Sequence, residues 1–322
     1  MTNQTGTAVK PIKKSYSKAA KQGKLKSYIK QTWMLYLMLL LPLTFFIIFR
    51  YIPMTNIVMA FQDYNLFKGV WDSPWVGLKW FKQAFSSRDF YNALRNTFML
   101  NTLDLVVSFP AAIILALLLN ELAFRRYKRI TQVIAYLPHF LSWIIVSGMV
   151  KQLLAPQTGV INMALGELGI GPIDFLTDNV LWVVTYVLTG LWKDIGWNTI
   201  IFLAAITNIN VELYEAAEVD GAGRLRKIWH VTLPGIRSTI IVLLIMNLGR
   251  ILGIELDRPY AMGNDLVRSV ADVISTLVYR VGIRSFQFSL TAAIGLFQSV
   301  VCVIFLSAAN ALAKRFGERG IW

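Results

Sequence analysis

The sequence predicts an all-α polytopic membrane protein with about six transmembrane helices. Hydrophobic residues make up 56% of the 322 residues and charged residues only 16%, whereas soluble domains are about half apolar and about a quarter charged. Several unbroken apolar windows exceed the roughly 20 residues that cross the core of a bilayer. A transmembrane β-barrel would instead alternate polar and apolar residues.

Six apolar windows, separated by polar segments, are the candidate membrane spans. In chain order they cover residues 33–52, 93–119, 130–151, 179–207, 239–254 and 288–313. The last window contains the only cysteine, Cys302. A single cysteine excludes an intrachain disulfide and a cysteine metal cluster, so we expect Cys302 to be a packing residue.

Basic residues predict the orientation of these windows, because cytoplasmic loops of membrane proteins are enriched in Lys and Arg. Residues 121–129 carry four basic residues and residues 153–178 carry none, so the first loop should be cytoplasmic and the second external. Basic residues also follow the last window, at Lys314, Arg315 and Arg319. We therefore expect both termini to lie in the cytoplasm.

The N-terminal segment is strongly basic, with eight lysines and no acid in the first 30 residues. We expect residues 1–30 to form a disordered cytoplasmic tail that contacts anionic lipid headgroups. Residues 31–322 should form the transmembrane domain. The net charge of +14 thus reflects membrane orientation, and we expect no nucleic-acid partner.

A polar interruption, ELYEAAEVDGAGRLRKIWHVTLPG, separates the fourth and fifth windows. Asn210 can cap a helix that starts at Val211 and runs to about Asp220. Gly221 and Gly223 then suit a turn that requires positive φ. The pattern predicts one short helix followed by a tight turn.

A second short helix should follow this turn, from Arg224 to about Val231. Pro234 should open the next span, where its missing N–H costs nothing. Residues 208–235 would then form a helix–turn–helix bracket on the cytoplasmic face. Its small residues would let the backbone of another protein come close, and its two acids suit an arginine on that partner. These residues are Ala216, Ala217, Gly221, Ala222, Glu215 and Asp220.

The bracket resembles the EAA motif of permease subunits from binding-protein-dependent ABC importers. The family pattern is Glu-Ala-Ala, three residues, Gly, nine residues, Ile, one residue and Leu-Pro. This chain has Glu215-Ala216-Ala217, Gly221, Val231 in place of Ile, and Leu233-Pro234. Stretches such as YIPMTNIVMAFQDYN and YLPHFLSWIIVSGM resemble the oligosaccharide and polysaccharide importers of this family. A proline that is frequent four residues after Leu-Pro in those importers is Ser238 here.

This resemblance implies a non-catalytic subunit of an ATP-driven sugar importer in the cytoplasmic (inner) membrane of a bacterium. Residues 211–231 would be the coupling helix that transmits ATPase motion, with Glu215 paired to an ATPase arginine. The implied docking residues are Ala216, Ala217, Asp220, Gly221 and Ala222, and Leu233 and Pro234 complete the motif.

The resemblance also implies the partners of the chain. They are a second homologous permease subunit in a heterodimer, a dimer of ATP-binding subunits, an extracytoplasmic sugar-binding protein and an oligosaccharide. No cofactor is expected on this chain, since ATP and Mg would bind the ATPase.

Charged residues inside the windows predict a substrate pathway. A charge at the bilayer centre costs roughly 2.5–3.5 kcal/mol on insertion scales, so it usually faces a cavity or a partner. Aromatic rings cover the C–H faces of sugars, and amides bond their hydroxyls. The pathway candidates are Asp104, Trp192, Lys193, Asp194, Trp197, Asn198 and Arg250.

Alternatives remain open for these charges. Asp104 and Arg250 can pair with Lys193 and Asp194 across the bundle, which would make an internal ion-pair network with packing tryptophans. The fourth window can also bend early into water. Arg250 and Lys193 can instead attract an acidic sugar such as a uronate. A lone histidine such as His139 is more often a packing residue than a ligand, and no metal site is expected.

Two other function classes fit the sequence less well than an importer subunit does. A stand-alone secondary transporter would need inverted repeats and helices broken at the midplane. A membrane glycosyltransferase would need a clustered acid pair or a nucleotide site at one membrane face. The chain has no Gly-x-x-x-x-Gly-Lys-Ser/Thr sequence to cradle ATP phosphates. The importer subunit is therefore favoured, with ATP hydrolysis on another chain.

Overall fold

The computed structural model describes residues 18–253, 255–315, 317 and 320. The described residues are helical apart from loops and an isolated bridge between Gln62 and Trp75, which confirms the all-α class. The helices are α1 (Lys18–Phe46), α2 (Lys79–Ser86), α3 (Arg88–Glu121), α4 (Arg125–Tyr136), α5 (Trp143–Leu153), α6 (Val160–Glu167), α7 (Asn179–Thr207), α8 (Val211–Val219), α9 (Arg224–Lys227), α10 (Arg237–Leu248), α11 (Asp257–Met262), α12 (Arg268–Ala271), α13 (Ile274–Val278) and α14 (Phe288–Arg315).

The chain divides into two compact units, residues 1–57 and 58–322. In the first unit, α1 begins at Lys18, so the expectation of a disordered tail to residue 30 is wrong for residues 18–30. Ala, Lys and Gln are good helix formers, so the helix of the apolar window extends back through them. Residues 1–17 lie outside the described residues.

The predicted spans correspond to long or bent helices. The described residues contain three helices that are long and apolar enough to cross a membrane, and up to six if each bent pair is one span. The three long helices are Gln31–Phe61, Arg88–Glu121 and Phe288–Arg315. The predicted fourth window, residues 179–207, coincides with α7.

The predicted third span is not one straight helix, because α4 and α5 meet at 102°. The break is a 3-10 turn at Leu137–Phe140 that contains Pro138. Proline has no N–H for the helical ladder and disfavours a helical residue before it. Ser142 then caps α5, since its hydroxyl accepts from the Ile145 N–H at 3.4 Å.

The predicted fifth span ends earlier than residue 254. Its helix, α10, runs from Arg237 to Leu248 and is bent by 60° from the helical segment before it. A Cβ atom at Gly249 would lie 2.7 Å from Cδ1 of Leu306, so glycine lets this end of α10 approach α14 closely. Ile254 lies outside the described residues.

In the second unit, α3 and α7 pack along each other and support the other elements. The hydroxyl of Thr199 on α7 donates to the Ala112 carbonyl on α3 at 3.2 Å. A Cβ atom at Gly196 would lie 2.1 Å from the Ala135 carbonyl oxygen, so glycine lets α4 lie directly on the backbone of α7. The segment from α11 to α13 is tied to α3 by Asn96, whose amide donates to two of its carbonyls.

Candidate substrate pathway and coupling bracket

A cavity of about 600 Å³ lies in the second unit, between α3, α5, α7 and α10. The structure brings all but one of the predicted pathway residues to its wall. Those that line the cavity are Asp104, Lys193, Asp194, Trp197, Asn198 and Arg250.

One face of α7 forms much of the cavity wall. Residues at positions 190, 193, 194, 197, 198 and 201 line it, and this spacing of three and four places them on one side of a helix. Trp192 lies on another side, is 47% exposed and does not line the cavity. Trp192 is turned away from this cavity because adjacent helical residues point about 100° apart.

Lys193 and Asp194 both contact His139, which lies in the break between α4 and α5. The ammonium of Lys193 donates to the His139 carbonyl oxygen at 2.8 Å. Asp194 Oδ1 lies 2.8 Å from His139 Nδ1 and 3.6 Å from Lys193 Nζ. These contacts fasten a carbonyl group at the helix break, which a regular helix would have bonded internally.

Two aromatic residues meet beside this cluster. The rings of His139 and Trp197 are stacked, with centroids 4.5 Å apart and an angle of 5° between their planes. Phe140 meets Trp197 edge-on at 6.2 Å. His139 packs as the sequence predicts, and it also lines the cavity.

Asp104 pairs with Arg258 rather than with Lys193. The two carboxylate oxygens accept from Arg258 Nη1 and Nη2 at 2.5 and 3.1 Å. Nη2 also donates to the Tyr186 carbonyl at 2.6 Å. A Cβ atom at Gly190 would lie 2.2 Å from Nη2, so glycine leaves the space that the guanidinium occupies.

Arg250 does not form the ion pair across the bundle that the sequence allowed. Its side chain is exposed at the cavity wall and has no hydrogen-bond or carboxylate partner within the part of the chain that the structure describes. Glu255 also lines the cavity. The cavity therefore combines neutralised charge pairs with groups that are available to a ligand.

The bracket largely has the predicted form. The Asn210 side chain caps α8 by accepting from the Glu212 N–H at 3.1 Å. Gly221 has φ +75°, as a tight turn requires. Gly223 has φ −69°, so the expectation of positive φ there is wrong. The turn needs one left-handed residue, and Gly221 supplies it.

The second half of the bracket is longer than predicted. From α9 the chain continues through a π-helical turn, Ile228–Thr232, into Leu233–Gly235. Pro234 lies inside this segment and does not open the next span, since the 60° bend comes between Gly235 and Arg237. A π turn has a different hydrogen-bond pattern from an α-helix. This turn ends just before Pro234, the residue that has no N–H to donate.

The end of the bracket at Leu233, its base, packs against the helices, whereas the region from Glu215 to Trp229, its tip, is largely exposed. Leu233 packs against a buried cluster that includes Phe202, Ile206 and Ile236. Glu215, Ala216, Asp220 and Gly221 are exposed, and Ala217 and Ala222 are half-buried. The exposed tip also carries apolar side chains at Val219, Leu225 and Trp229.

An ion pair joins the two halves of the bracket. The Lys227 ammonium lies 2.7 Å from Glu218 Oε2, and this hydrogen bond lowers the pKa of the Glu218 carboxyl below its usual range. A second contact joins the two halves, since the hydroxyls of Tyr214 and Thr232 lie 3.0 Å apart.

The family model for the inner membrane component of binding-protein-dependent transport systems matches residues 108–318 of the chain. The chain belongs to this permease family. It is therefore a multi-pass inner-membrane protein and the permease subunit of an ABC importer. These comparisons do not favour a secondary transporter or a glycosyltransferase.

Similar proteins cover nearly the whole permease. It is 47% identical to protein LplB of Bacillus subtilis (strain 168) over 294 residues, 91% of this chain and 92% of that protein. It is 44% identical over 305 residues, 95% of each chain, to the polygalacturonan/rhamnogalacturonan transport system permease protein YteP of the same organism. A chain of the bacterial alginate ABC transporter, solved with an alginate pentasaccharide-bound periplasmic protein, matches with TM-score 0.84 and 38% identity over 92% of the permease and 100% of that chain.

Sequence reasoning missed Arg258 as a cavity residue of the permease. Arg258 lies on α11, outside the predicted windows, and its partner Asp104 is 154 positions away. The available signal was Asp104 itself, since a carboxylate inside an apolar helix needs a cationic partner.

Proposed function

We propose that this permease forms, with a second homologous permease subunit, the path for an acidic oligosaccharide across the inner membrane. An extracytoplasmic binding protein delivers the oligosaccharide, and a dimer of separate ATP-binding subunits, which carry ATP and Mg, drives the transfer. This chain holds no cofactor of its own and contacts membrane lipids with its apolar faces.

The observation that carries this proposal is the polar cavity inside the apolar helices of the second unit. Trp197 offers an aromatic surface and Asn198 an amide, which suit the C–H faces and the hydroxyls of a sugar. A ligand site of this kind combines apolar and aromatic walls with a few oriented polar groups. Its volume of about 600 Å³ falls in the ordinary range for small-ligand sites.

The acidic character of the substrate is supported by Arg250. Its guanidinium faces the cavity without a carboxylate partner among the described residues, and guanidinium groups bind carboxylates in two-point contacts. Lys193 and Arg258 are already engaged by Asp194 and Asp104. One similar permease is named for polygalacturonan and rhamnogalacturonan transport, and one similar solved structure is an importer of the acidic polysaccharide alginate.

The bracket is the proposed docking site for the ATP-binding subunit. Its tip exposes Glu215, small residues and the apolar side chains of Val219 and Leu225. Its base packs against α3 and α7 through Leu233, so a force on the tip reaches the helices that line the cavity. This assignment places the bracket and both termini in the cytoplasm.

Reconstitution of the complete importer tests the proposal. Liposomes that hold both permease subunits and the ATP-binding subunits should take up uronate oligomers only with ATP and the binding protein. Neutral oligomers of the same length are the matched control and should enter more slowly. Uptake by this chain alone along a proton gradient would contradict the proposal, and equal uptake of neutral oligomers would contradict the acidic substrate.

A further inference from the structure

The two tryptophans that line the cavity are available to a ligand to different degrees. Two protein cations, Lys193 and Arg258, lie over the Trp143 ring at 5.0 Å from its centroid. Trp197 has no such cation among the described residues, is 45% exposed and has the His139 ring stacked on one face. Trp197 is therefore the better placed of the two to offer an open ring face to a sugar.

His139, whose ring stacks on Trp197, is held by one contact to its ring and one to its backbone. The His139 imidazole is bonded to Asp194, and the His139 carbonyl accepts from Lys193. On α7, Trp197 comes three positions after Asp194 and four after Lys193, so the three residues lie on one face of the helix. This face therefore both binds His139 and carries the indole ring. The stack therefore has a fixed place on the cavity wall.

The break between α4 and α5 brings His139 into this position. The turn at Leu137–Phe140 bends the chain by 102° beside α7, and Gly196 lets the α4 backbone lie against that helix. If α4 continued as a straight helix through residue 139, the imidazole would lie along α4 and not beside Trp197. The bent span thus places a flat side chain directly behind Trp197.

We propose that His139 is a positioning residue that holds the Trp197 ring ready as the saccharide-stacking surface of the cavity. Asp194 and Lys193 act through His139, by fixing its ring and its backbone. A surface held in its binding orientation loses less conformational entropy when a sugar arrives. This inference rests on the proposed transport of a saccharide.

Saccharide binding to the purified importer in nanodiscs, without the binding protein, tests this role. The probe is trigalacturonate, and saturation transfer from aromatic protons to the sugar C–H protons reports direct stacking and, by titration, the dissociation constant. Trp197→Leu and His139→Leu should both weaken binding by about tenfold, which is the loss expected when an aromatic stacking contact is removed.

Matched variants separate positioning from general damage. His139→Phe keeps a flat ring behind Trp197 but not the bond to Asp194, so it should restore part of the binding that His139→Leu loses. Trp192→Phe changes a tryptophan on the same helix that does not line the cavity, and it should leave binding unchanged. Elution as an intact complex at the wild-type position shows that each variant is folded and assembled.

Several results would overturn the inference. Unchanged binding by a folded His139→Leu variant would refute the positioning role, and so would His139→Phe as weak as His139→Leu. Wild-type uptake of trigalacturonate with no aromatic saturation transfer would refute the stacking surface and leave the proposed function standing. Absence of wild-type uptake of any saccharide would instead refute the proposed function.

Discussion

The cavity wall and the bracket both adjoin α7, yet the carboxylates predicted to act in each region differ in whether they are paired within the chain. In the cavity, Asp194 and Asp104 are bonded to His139 and Arg258 within the same chain. At the bracket tip, Glu215 is exposed and has no partner in the described part of the chain. This difference fits the proposal that the cavity is organised before its ligand arrives and that the bracket is completed by the ATP-binding subunit.

The largest effect should follow from Glu215→Ala. Removing one member of a charge pair buried at a protein interface costs about 2–5 kcal/mol, so uptake by reconstituted importer should be abolished while membrane insertion remains normal. The matched control is Glu212→Ala on the same helix, where Glu212 already accepts from the Asn210 amide. Normal uptake with Glu215→Ala would show that the bracket does not depend on this carboxylate.

The next largest effect should come from Arg258→Leu, which leaves the half-buried Asp104 without its cation. Breaking a fully buried ion pair costs about 3–5 kcal/mol, and this partly exposed pair should cost less, so the melting temperature of the complex should fall moderately. A second exchange, Asp104→Asn in the same chain, should recover part of the loss, because no unpaired charge then remains. Equal melting temperatures for wild type and Arg258→Leu would show that the pair does not stabilise the cavity wall.

A smaller effect on stability should follow from Gly196→Ala. The added methyl group would meet the Ala135 carbonyl, a backbone atom, at 2.1 Å, and overpacking of this kind costs about 1–3 kcal/mol. Gly148→Ala is the control on α5, because a Cβ atom there meets nothing within 4 Å. If both variants melt at the same temperature, α4 does not rest directly on α7.

The smallest effect should come from Glu218→Gln at the bracket. The hydrogen bond from Lys227 lowers the pKa of Glu218. Its contribution to stability is therefore present above the ordinary pKa of a glutamate and is lost as the pH falls through the lowered value. Wild type should melt slightly above the variant at neutral pH and equally at acidic pH. A difference that grows on acidification would contradict this sign.

Local features of the fold could be predicted from the sequence. The Asn210 cap, the left-handed Gly221 and the limits of α7 each depend on a few neighbouring residues, and each has the expected form. The sequence does not clearly predict the break in the third span, because Pro138 is a single proline within a long apolar window. The lysine-rich start of α1 was also misjudged, since helix propensity there exceeds the tendency to disorder.

A contact between distant segments explains why the sequence does not reveal Arg258 as a cavity residue. Arg258 reaches Asp104 across 154 positions, and no local pattern identifies such a pair. Trp192 and Trp197 look equivalent in the sequence, yet only Trp197 faces the cavity because the helix fixes their directions. The helical class of the fold is therefore easier to predict than the residues that line the cavity.

The most direct test of the account is cross-linking of the bracket tip to the ATP-binding subunit. Replacement of Cys302 by serine removes the only cysteine, and Ala216→Cys then places one thiol at the exposed tip. In the assembled importer, a short bifunctional reagent should join this chain to an ATP-binding subunit that carries a cysteine in its docking cleft, and transport should stop. An assembled, transporting importer in which this thiol reacts freely with solvent reagents and never with the ATP-binding subunit would contradict the account.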